Sequence, residues 1–127
     1  ELFHIYRTIE IVARWVYICG MARFVHPSIG DVTLPGLLAA LADPARLAIV
    51  RRLYAAKDGL CCGDAASCSS LPKSTLSSHF RLLREAGLIR TEKCGLEHIS
   101  RLRRAEIDKK FPGLLKLVLK LSEEPKT

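Results

Sequence analysis

The stretch Leu71 to Gly87, LPKSTLSSHFRLLREAG, decides how the rest of the chain is interpreted. On an α-helix Leu76, Phe80 and Leu83 share one side, at the i, i+4 and i+7 spacing that predicts a buried face. The other side carries hydroxyl and guanidinium groups, from Ser74, Ser77, Ser78, Arg81 and the flanking Arg84. Small hydroxyls let a helix enter a DNA groove deeply, and arginine reaches phosphates and guanine edges. The pattern therefore predicts a DNA-recognition helix that ends at Gly87.

Positive charge is concentrated around this predicted helix. The 127 residues hold 20 Lys and Arg against 13 Asp and Glu, a net charge of +7. Between Lys73 and Arg104 eight basic residues stand against three acidic ones, so a net +5 lies in a quarter of the chain. Clustered cations bind a polyanion by releasing its counterions. The cluster favours nucleic acid as partner, and an ordinary solvated basic surface is the alternative.

Composition predicts one cytoplasmic domain with a real core. The hydrophobic content is 49%, and the five cysteines are an odd number without the framework of a small secreted protein. We therefore expect free thiols in a reducing compartment. The apolar run from Ile11 to Val25 is interrupted by Arg14 and Arg23, so we expect neither a signal peptide nor a membrane span.

Residues 1–30 are predicted to form an apolar N-terminal extension. Ile5, Ile9, Val12 and Val16 share one helical face, which is too apolar for a solvated tail. Two interpretations stay open. Either this segment packs on a partner, or translation begins at Met21, the only methionine, and the preceding residues are not native.

Two shorter helices are predicted before the recognition helix. The segment His26 to Gly36 contains two prolines and two glycines, so it is predicted to be a loop. A short helix over Leu37–Leu41 follows it. Asp43-Pro44 then predicts a new helix start, with Asp43 as the cap, and this helix runs to about Tyr54. A short or irregular helix is expected around Asp64–Cys68.

A β-hairpin is predicted directly after the recognition helix. Leu88 to Thr91 and Leu96 to Leu102 have the composition of two strands, with a turn between them. A hairpin in this place is the wing of a winged helix, and its tip normally lies over the phosphate backbone or the minor groove. Lys93 and Arg101 suit such a contact.

A terminal helix is predicted from an apolar repeat at i, i+3, i+4 and i+7. The repeat consists of Leu114, Leu117, Val118 and Leu121. Such a helix is too apolar to be free, so it either covers its own core or forms a dimer seam. We favour the seam, because two-fold DNA sites call for two-fold proteins.

These elements predict a mainly α fold with a small β-hairpin: a winged helix-turn-helix, dimeric through its terminal helices. The expected organisation is an extension over 1–30, a DNA-binding domain over 31–106, a dimerisation helix over 107–122 and a polar tail over 123–127.

The order of these elements closely resembles the ArsR/SmtB family of winged-helix repressors. Three stretches carry the resemblance: LAALADPARLAIVRRL (Leu38 to Leu53), KSTLSSHFRLLREAGLI (Lys73 to Ile89) and RLRRAEIDKKFPGLLKLV (Arg101 to Val118). The resemblance implies a homodimer that occupies a double-stranded DNA operator and leaves it when an inducer binds. It implies DNA contacts by Lys73, Ser74, Thr75, Ser77, Ser78 and Arg81. Ser78 stands where a histidine is usual, so we expect a different base preference in the same groove.

The resemblance also bears on the cysteines. Arsenic and cadmium sensors of the family carry Cys-x-Cys at the start of the helix before the recognition helix, whereas this chain has Cys61-Cys62-Gly63. Cys61 or Cys62 with Cys68 forms a soft thiolate set suited to As(III), Cd(II) or another thiophilic metal. A thiol redox switch and small buried residues without a ligand are the alternatives.

The main hypothesis is thus a DNA-binding repressor. A winged-helix module that binds another protein through the same face is the alternative. We expect no enzyme, because no cysteine has a convincing base and orienting partner in the sequence.

Overall fold

The computed structural model describes residues 24, 26–61 and 71–123. A single 3-10 turn, Ile29–Asp31, precedes the regular elements. These are α1 (Leu34–Leu41), α2 (Pro44–Ala55), β1 (Leu60–Cys61), α3 (Lys73–Ala86), β2 (Ile89–Cys94), β3 (Glu97–Leu102), α4 (Arg104–Lys110) and α5 (Leu114–Ser122). The strands form one antiparallel sheet in the order β1-β3-β2. The described chain is mainly helical with a small sheet, as the sequence predicts.

Three predictions fall outside the described residues: most of the N-terminal extension, the irregular helix around Asp64–Cys68 and most of the polar tail over 123–127. Among the helices within the described ranges, none has the length and apolar character needed to cross a membrane.

Helix α1 begins earlier than predicted. The hydroxyl of Thr33 accepts a hydrogen bond from the N–H of Gly36 at 3.2 Å and caps the helix at Leu34. The sequence placed Pro35 and Gly36 in a loop and began the helix at Leu37. That boundary is wrong because proline suits the first turn of a helix, where its fixed φ fits and its missing N–H has no intrahelical partner.

One core holds the helices together. The predicted buried stripe of α3 is confirmed, since Leu76, Phe80 and Leu83 are at most 5% exposed. They belong to a cluster with residues of α1, α2 and α5: Leu37, Leu41, Val50, Leu53, Leu115 and Leu119. Burial of this apolar surface fixes α3 against the other helices and leaves its opposite side turned outward.

Gly87 ends α3, as predicted. It has a φ of 90°, the left-handed conformation that favours glycine, and its N–H bonds to carbonyls of the last helical turn. A Cβ atom here would collide with the side chain of buried Val32. The chain therefore turns sharply into β2 directly after the helix.

The hairpin is longer and its turn tighter than the sequence predicted. β2 continues past Thr91 to Cys94, and Cys94 pairs with Glu97, so Gly95 and Leu96 alone form the turn. The predicted end of the first strand at Thr91 is wrong, because the polar residues that follow it pair with β3. The predicted start of the second strand at Leu96 is wrong, because Leu96 belongs to the two-residue turn.

Strand β1 was not predicted. Leu60 pairs with Ser100 and Cys61 with Ile99, on the side of β3 opposite β2. Two residues are too short to show an alternating pattern, so the sequence did not place Cys61 in a strand.

The predicted seam of α5 divides between core and solvent. Leu115 and Leu119 point into the core, while Leu117 is 56% and Leu121 is 75% exposed. Leu114 and Val118 are half-buried between these two sides. The helix therefore covers its own core with one side and leaves an apolar side uncovered.

Candidate nucleic-acid interface

Helix α3 presents its polar side to solvent. Its exposed residues there are Lys73, Ser74, Ser77, Ser78 and Arg81, while Thr75 is half-buried. We call the set of five exposed residues the α3 face. No acid interrupts it before Glu85, in the last turn of the helix. A rigid helix with small donors and cations at its N-terminal end can enter a DNA groove and donate to phosphates and base edges.

Arg46 ties α3 to the two helices before it. Its Nε donates to the carbonyl of Ala40 at the end of α1 at 2.7 Å, and its Nη1 donates to Nδ1 of His79 on α3 at 3.3 Å. The same guanidinium lies 3.9 Å from the carboxylate of Asp43. Sequence analysis did not assign a role to Arg46, because the two partners that link it to α1 and α3 lie six and thirty-three residues away.

Asp43 caps α2 as predicted, accepting hydrogen bonds from the N–H groups of Ala45 and Arg46 at 2.8 and 3.2 Å. The pKa of Asp43 lies below its usual value. The largest cause is the hydrogen bond from the backbone N–H of Arg46, and the bond from Ala45 and the positive charge of Arg46 lower it further. The charged cap fixes the start of α2, the helix on which α3 packs.

Arg84 lies at the edge of the α3 face, against the N-terminal segment. It is half-buried, and its guanidinium carbon lies 4.9 Å from the ring centre of Phe24. This cation–π contact directs the side chain toward the segment. Of the residues predicted for DNA contact on α3, Thr75 and Arg84 are half-buried, and Arg84 is directed toward Phe24.

His26 and Pro27 are bonded to β2 and to the residue that precedes α4. Nε2 of His26 accepts from the N–H of Thr91 at 3.0 Å, and Arg103 donates to the carbonyl of Pro27 at 2.7 Å. Burial lowers the pKa of His26, and the positive charges of Arg90, Arg103 and Arg84 lower it further. No local sequence pattern could have identified this contact, since His26 and Thr91 are 65 residues apart.

The wing carries charges of both signs. Arg101, predicted to contact DNA, forms an ion pair with Glu92 at 3.4 Å, and Lys93 is half-buried. Arg90 lies directly opposite Arg101 in the ladder and pairs with Glu106 at 3.7 Å. The sequence analysis did not single out Arg90. The wing is thus less cationic in its net surface charge than a count of its basic residues indicates.

Of the predicted metal ligands, the structure describes Cys61. Cys61 is half-buried in β1, while Cys62 and Cys68 lie outside the described residues. In the described ranges, no group of three Cys, His, Asp or Glu residues is placed to hold a metal ion. The metal site at Cys61, Cys62 and Cys68 therefore stays a prediction, because two of its three ligands lie outside the described residues.

Comparison with known proteins agrees with this architecture. Residues 41–92 match the model of a helix-turn-helix domain. The chain is 41% identical over 76 residues to the uncharacterized HTH-type transcriptional regulator YceK of Bacillus subtilis (strain 168). That match covers 60% of this chain and 76% of the relative.

Solved structures share the fold. HlyU from Vibrio cholerae N16961 is 31% identical, with a TM-score of 0.56 over 68% of this chain and 88% of that one. An ArsR-like transcriptional regulator from Rhodococcus sp. RHA1 has a TM-score of 0.53 at 24% identity, over 69% of this chain and 81% of its own. The chain therefore belongs to the helix-turn-helix transcriptional regulators, and its winged-helix fold is that of the ArsR-type members.

Proposed function

We propose that this regulator is a repressor that binds a two-fold operator as a homodimer, with α3 of each subunit in the major groove. The α3 face carries the proposal, because its hydroxyls and cations are exposed on a helix whose other side is locked into the core. Bound in this way, the protein would block the access of RNA polymerase to the promoter. The wing residues Lys93 and Arg101 would lie over the backbone beside the groove.

Exposed leucines on two helices support the dimer. Leu117 and Leu121 on α5 and Leu34 and Leu38 on α1 are all 40% exposed or more. We propose that they meet their copies across a two-fold axis, with Leu114 and Val118 completing the seam. The dimer would set the two α3 helices about 34–36 Å apart, the spacing of successive major grooves.

We further propose that an inducer releases the operator by shifting this spacing. As(III), Cd(II) or thiol oxidation at Cys61, Cys62 and Cys68 is the candidate signal, and Cys61 carries a free thiol in β1. An inducer can act only through its different affinity for the two spacings, a difference on the order of 1–3 kcal/mol.

Substitution of Arg81 tests the interface. Arg81→Ala should weaken binding to a DNA duplex by roughly ten- to a hundredfold and lower the salt slope by about one, as expected for a lost contact to phosphate or base. Lys116→Ala, which removes an exposed cation from α5, is the matched control and should bind like the parent. Fluorescence anisotropy at several salt concentrations measures both variants.

The result also decides between the two function classes. Unchanged affinity and salt slope for Arg81→Ala would contradict the groove assignment. A parent protein without salt-dependent DNA binding would favour a winged-helix module that binds another protein.

The inducer is tested by titrating As(III), Cd(II), Zn(II) or peroxide into the preformed complex. The double variant Cys61→Ser/Cys62→Ser should resist release, whereas Cys94→Ser, an exposed thiol on the hairpin, should respond like the parent. Equal release by the double variant and the parent would end the thiol-sensing proposal and leave the repressor proposal intact.

A further inference from the structure

We propose that Leu96, at the tip of the wing, inserts as an apolar wedge into the DNA minor groove next to the major groove that α3 occupies. This inference rests on the proposed function and assigns to the wing a contact that its charged residues do not supply.

The side chain of Leu96 is almost fully exposed to solvent. Its side chain is 92% exposed, the highest fraction among the large apolar side chains that the structure describes. The pairing of Cys94 with Glu97 leaves a two-residue turn, so Leu96 stands at the apex. Gly95 precedes it with a φ of 66°, which suits the first central position of a type II′ turn. A leucine in this position contributes nothing to the core, so its apolar surface is available to a partner.

The sheet makes the apex a rigid projection. β3 is hydrogen-bonded on both sides, to β1 and β2. At its root, the hydroxyls of Thr91 and Ser100 bond to each other at 2.9 Å, and both residues are buried. A paired and anchored hairpin presents Leu96 with little conformational entropy left to lose on binding.

The reach of the hairpin matches the distance between grooves. β2 has six residues and begins three residues after α3 ends, at Ile89. At about 3.3 Å per residue the apex lies roughly 20 Å from that point. The minor groove next to an occupied major groove is half a helical turn away, about 17 Å. Ile89 itself is buried in the core, so this length carries the tip well beyond the packed part of the protein, and a hairpin directed along the DNA axis has the reach for the neighbouring minor groove.

The chemistry of the tip favours a wedge over a polar reader. The turn residues are glycine and leucine, and neither side chain can read a base edge by hydrogen bonding. Apolar side chains in the minor groove act by entering between base steps, and flexible pyrimidine–purine steps open at the lowest cost. We therefore expect the wing to prefer such a step without contacting its bases through hydrogen bonds.

Glu97 provides an independent check on position. Its carboxylate is exposed beside the turn. If the tip lies at the groove, phosphates repel this charge, and Glu97→Gln should tighten binding and steepen its salt dependence. If the tip points away from DNA, the substitution should change neither.

The experiment uses duplexes selected by the full chain from a random-sequence library. Anisotropy titrations compare the parent with Leu96→Ala, Leu96→Asn and Leu96→Met. We expect Ala and Asn to weaken binding roughly five- to twentyfold, by the loss of buried apolar surface, with an unchanged salt slope. Met keeps the apolar volume and should bind within twofold of the parent. Circular dichroism melting should give the same midpoint for all four proteins, because Leu96 has no core contact.

Each outcome decides one question. A parent that selects no duplex overturns the proposed function and this inference with it. A parent that binds DNA while Leu96→Ala binds equally well overturns the wedge alone. A loss for Leu96→Ala that comes with a lower salt slope also overturns it, since the lost contact would then be electrostatic.

Discussion

Nδ1 of His79 on α3 accepts a hydrogen bond from Nη1 of Arg46, 3.3 Å away, so α3 is attached to the guanidinium that also binds the end of α1. Arg46→Met should therefore destabilise the fold by about 2 kcal/mol, because it removes bonds from a charged, half-buried donor. Urea denaturation measures the loss. Lys57→Met, which removes an exposed cation after α2, should cost less than about 0.5 kcal/mol.

A double-mutant cycle separates the His79 contact from the rest. With Arg46→Met in place, His79→Ala should cost less than it does in the parent, by about 0.5 kcal/mol or more. Strict additivity would show that the bond between the two side chains contributes nothing to stability.

The free energy of unfolding should decrease as the pH is lowered, because His26 becomes protonated. Burial and the charges of Arg90, Arg103 and Arg84 lower the pKa of His26 in the folded state, partly offset by Glu92. The unfolded chain binds the proton at the ordinary value, so this contribution is complete above about pH 6.5 and is lost as the pH falls through the folded pKa. Protonation also removes the lone pair that Nε2 offers to Thr91.

The variant His26→Ala isolates this effect. At pH 7.5 it should lower the free energy of unfolding by about 1 kcal/mol through the lost hydrogen bond. Between pH 7.5 and 5.5 its stability should fall less steeply than that of the parent. Parallel curves for the two proteins would assign the pH dependence to other groups.

Helix α3 and its buried face were predictable because the residues that determine them are close together in sequence. Leu76, Phe80 and Leu83 recur at helical spacing, and Gly87 ends the helix by its own backbone preference. The attachment of His26 to Thr91 depends instead on where distant segments meet. Propensity and periodicity contain no information about such contacts, so sequence reasoning missed them.

The rotation of α5 shows a second limit. Leu114, Leu115, Leu117, Val118, Leu119 and Leu121 surround most of this helix with apolar residues. When apolar residues cover more than one side of a helix, their spacing is compatible with two different buried faces. Packing against α2 and α4 determines which face of α5 is buried. Leu115 and Leu119 enter the core, which the predicted stripe did not include.

Gly87 should be irreplaceable in a way that Gly113 is not. Gly87→Ala should destabilise by about 2–4 kcal/mol, since it adds left-handed strain to a collision with Val32. Gly113 has a similar φ of 79° but open space around it, so Gly113→Ala should cost only the strain, about 1–2 kcal/mol. Thermal melts compare the two, and equal losses would show that the contact with Val32 is absorbed by relaxation.

The exposed leucines of α5 predict how the proposed dimer can be dissociated. Leu117→Glu/Leu121→Glu places two carboxylates on the most exposed leucines of the helix, where burial of an unpaired charge in a seam would cost several kcal/mol. Because Leu115 and Leu119 hold α5 on its own core, each subunit should stay folded while sedimentation shows a monomer. Affinity for a two-fold DNA site should fall by roughly a hundredfold, because separate monomers bind the two half-sites independently, without the gain in effective concentration that a dimer provides. Lys116→Glu/Lys120→Glu changes exposed cations of the same helix and should leave the dimer intact. A dimer that survives the leucine substitutions would place the seam elsewhere on the molecule.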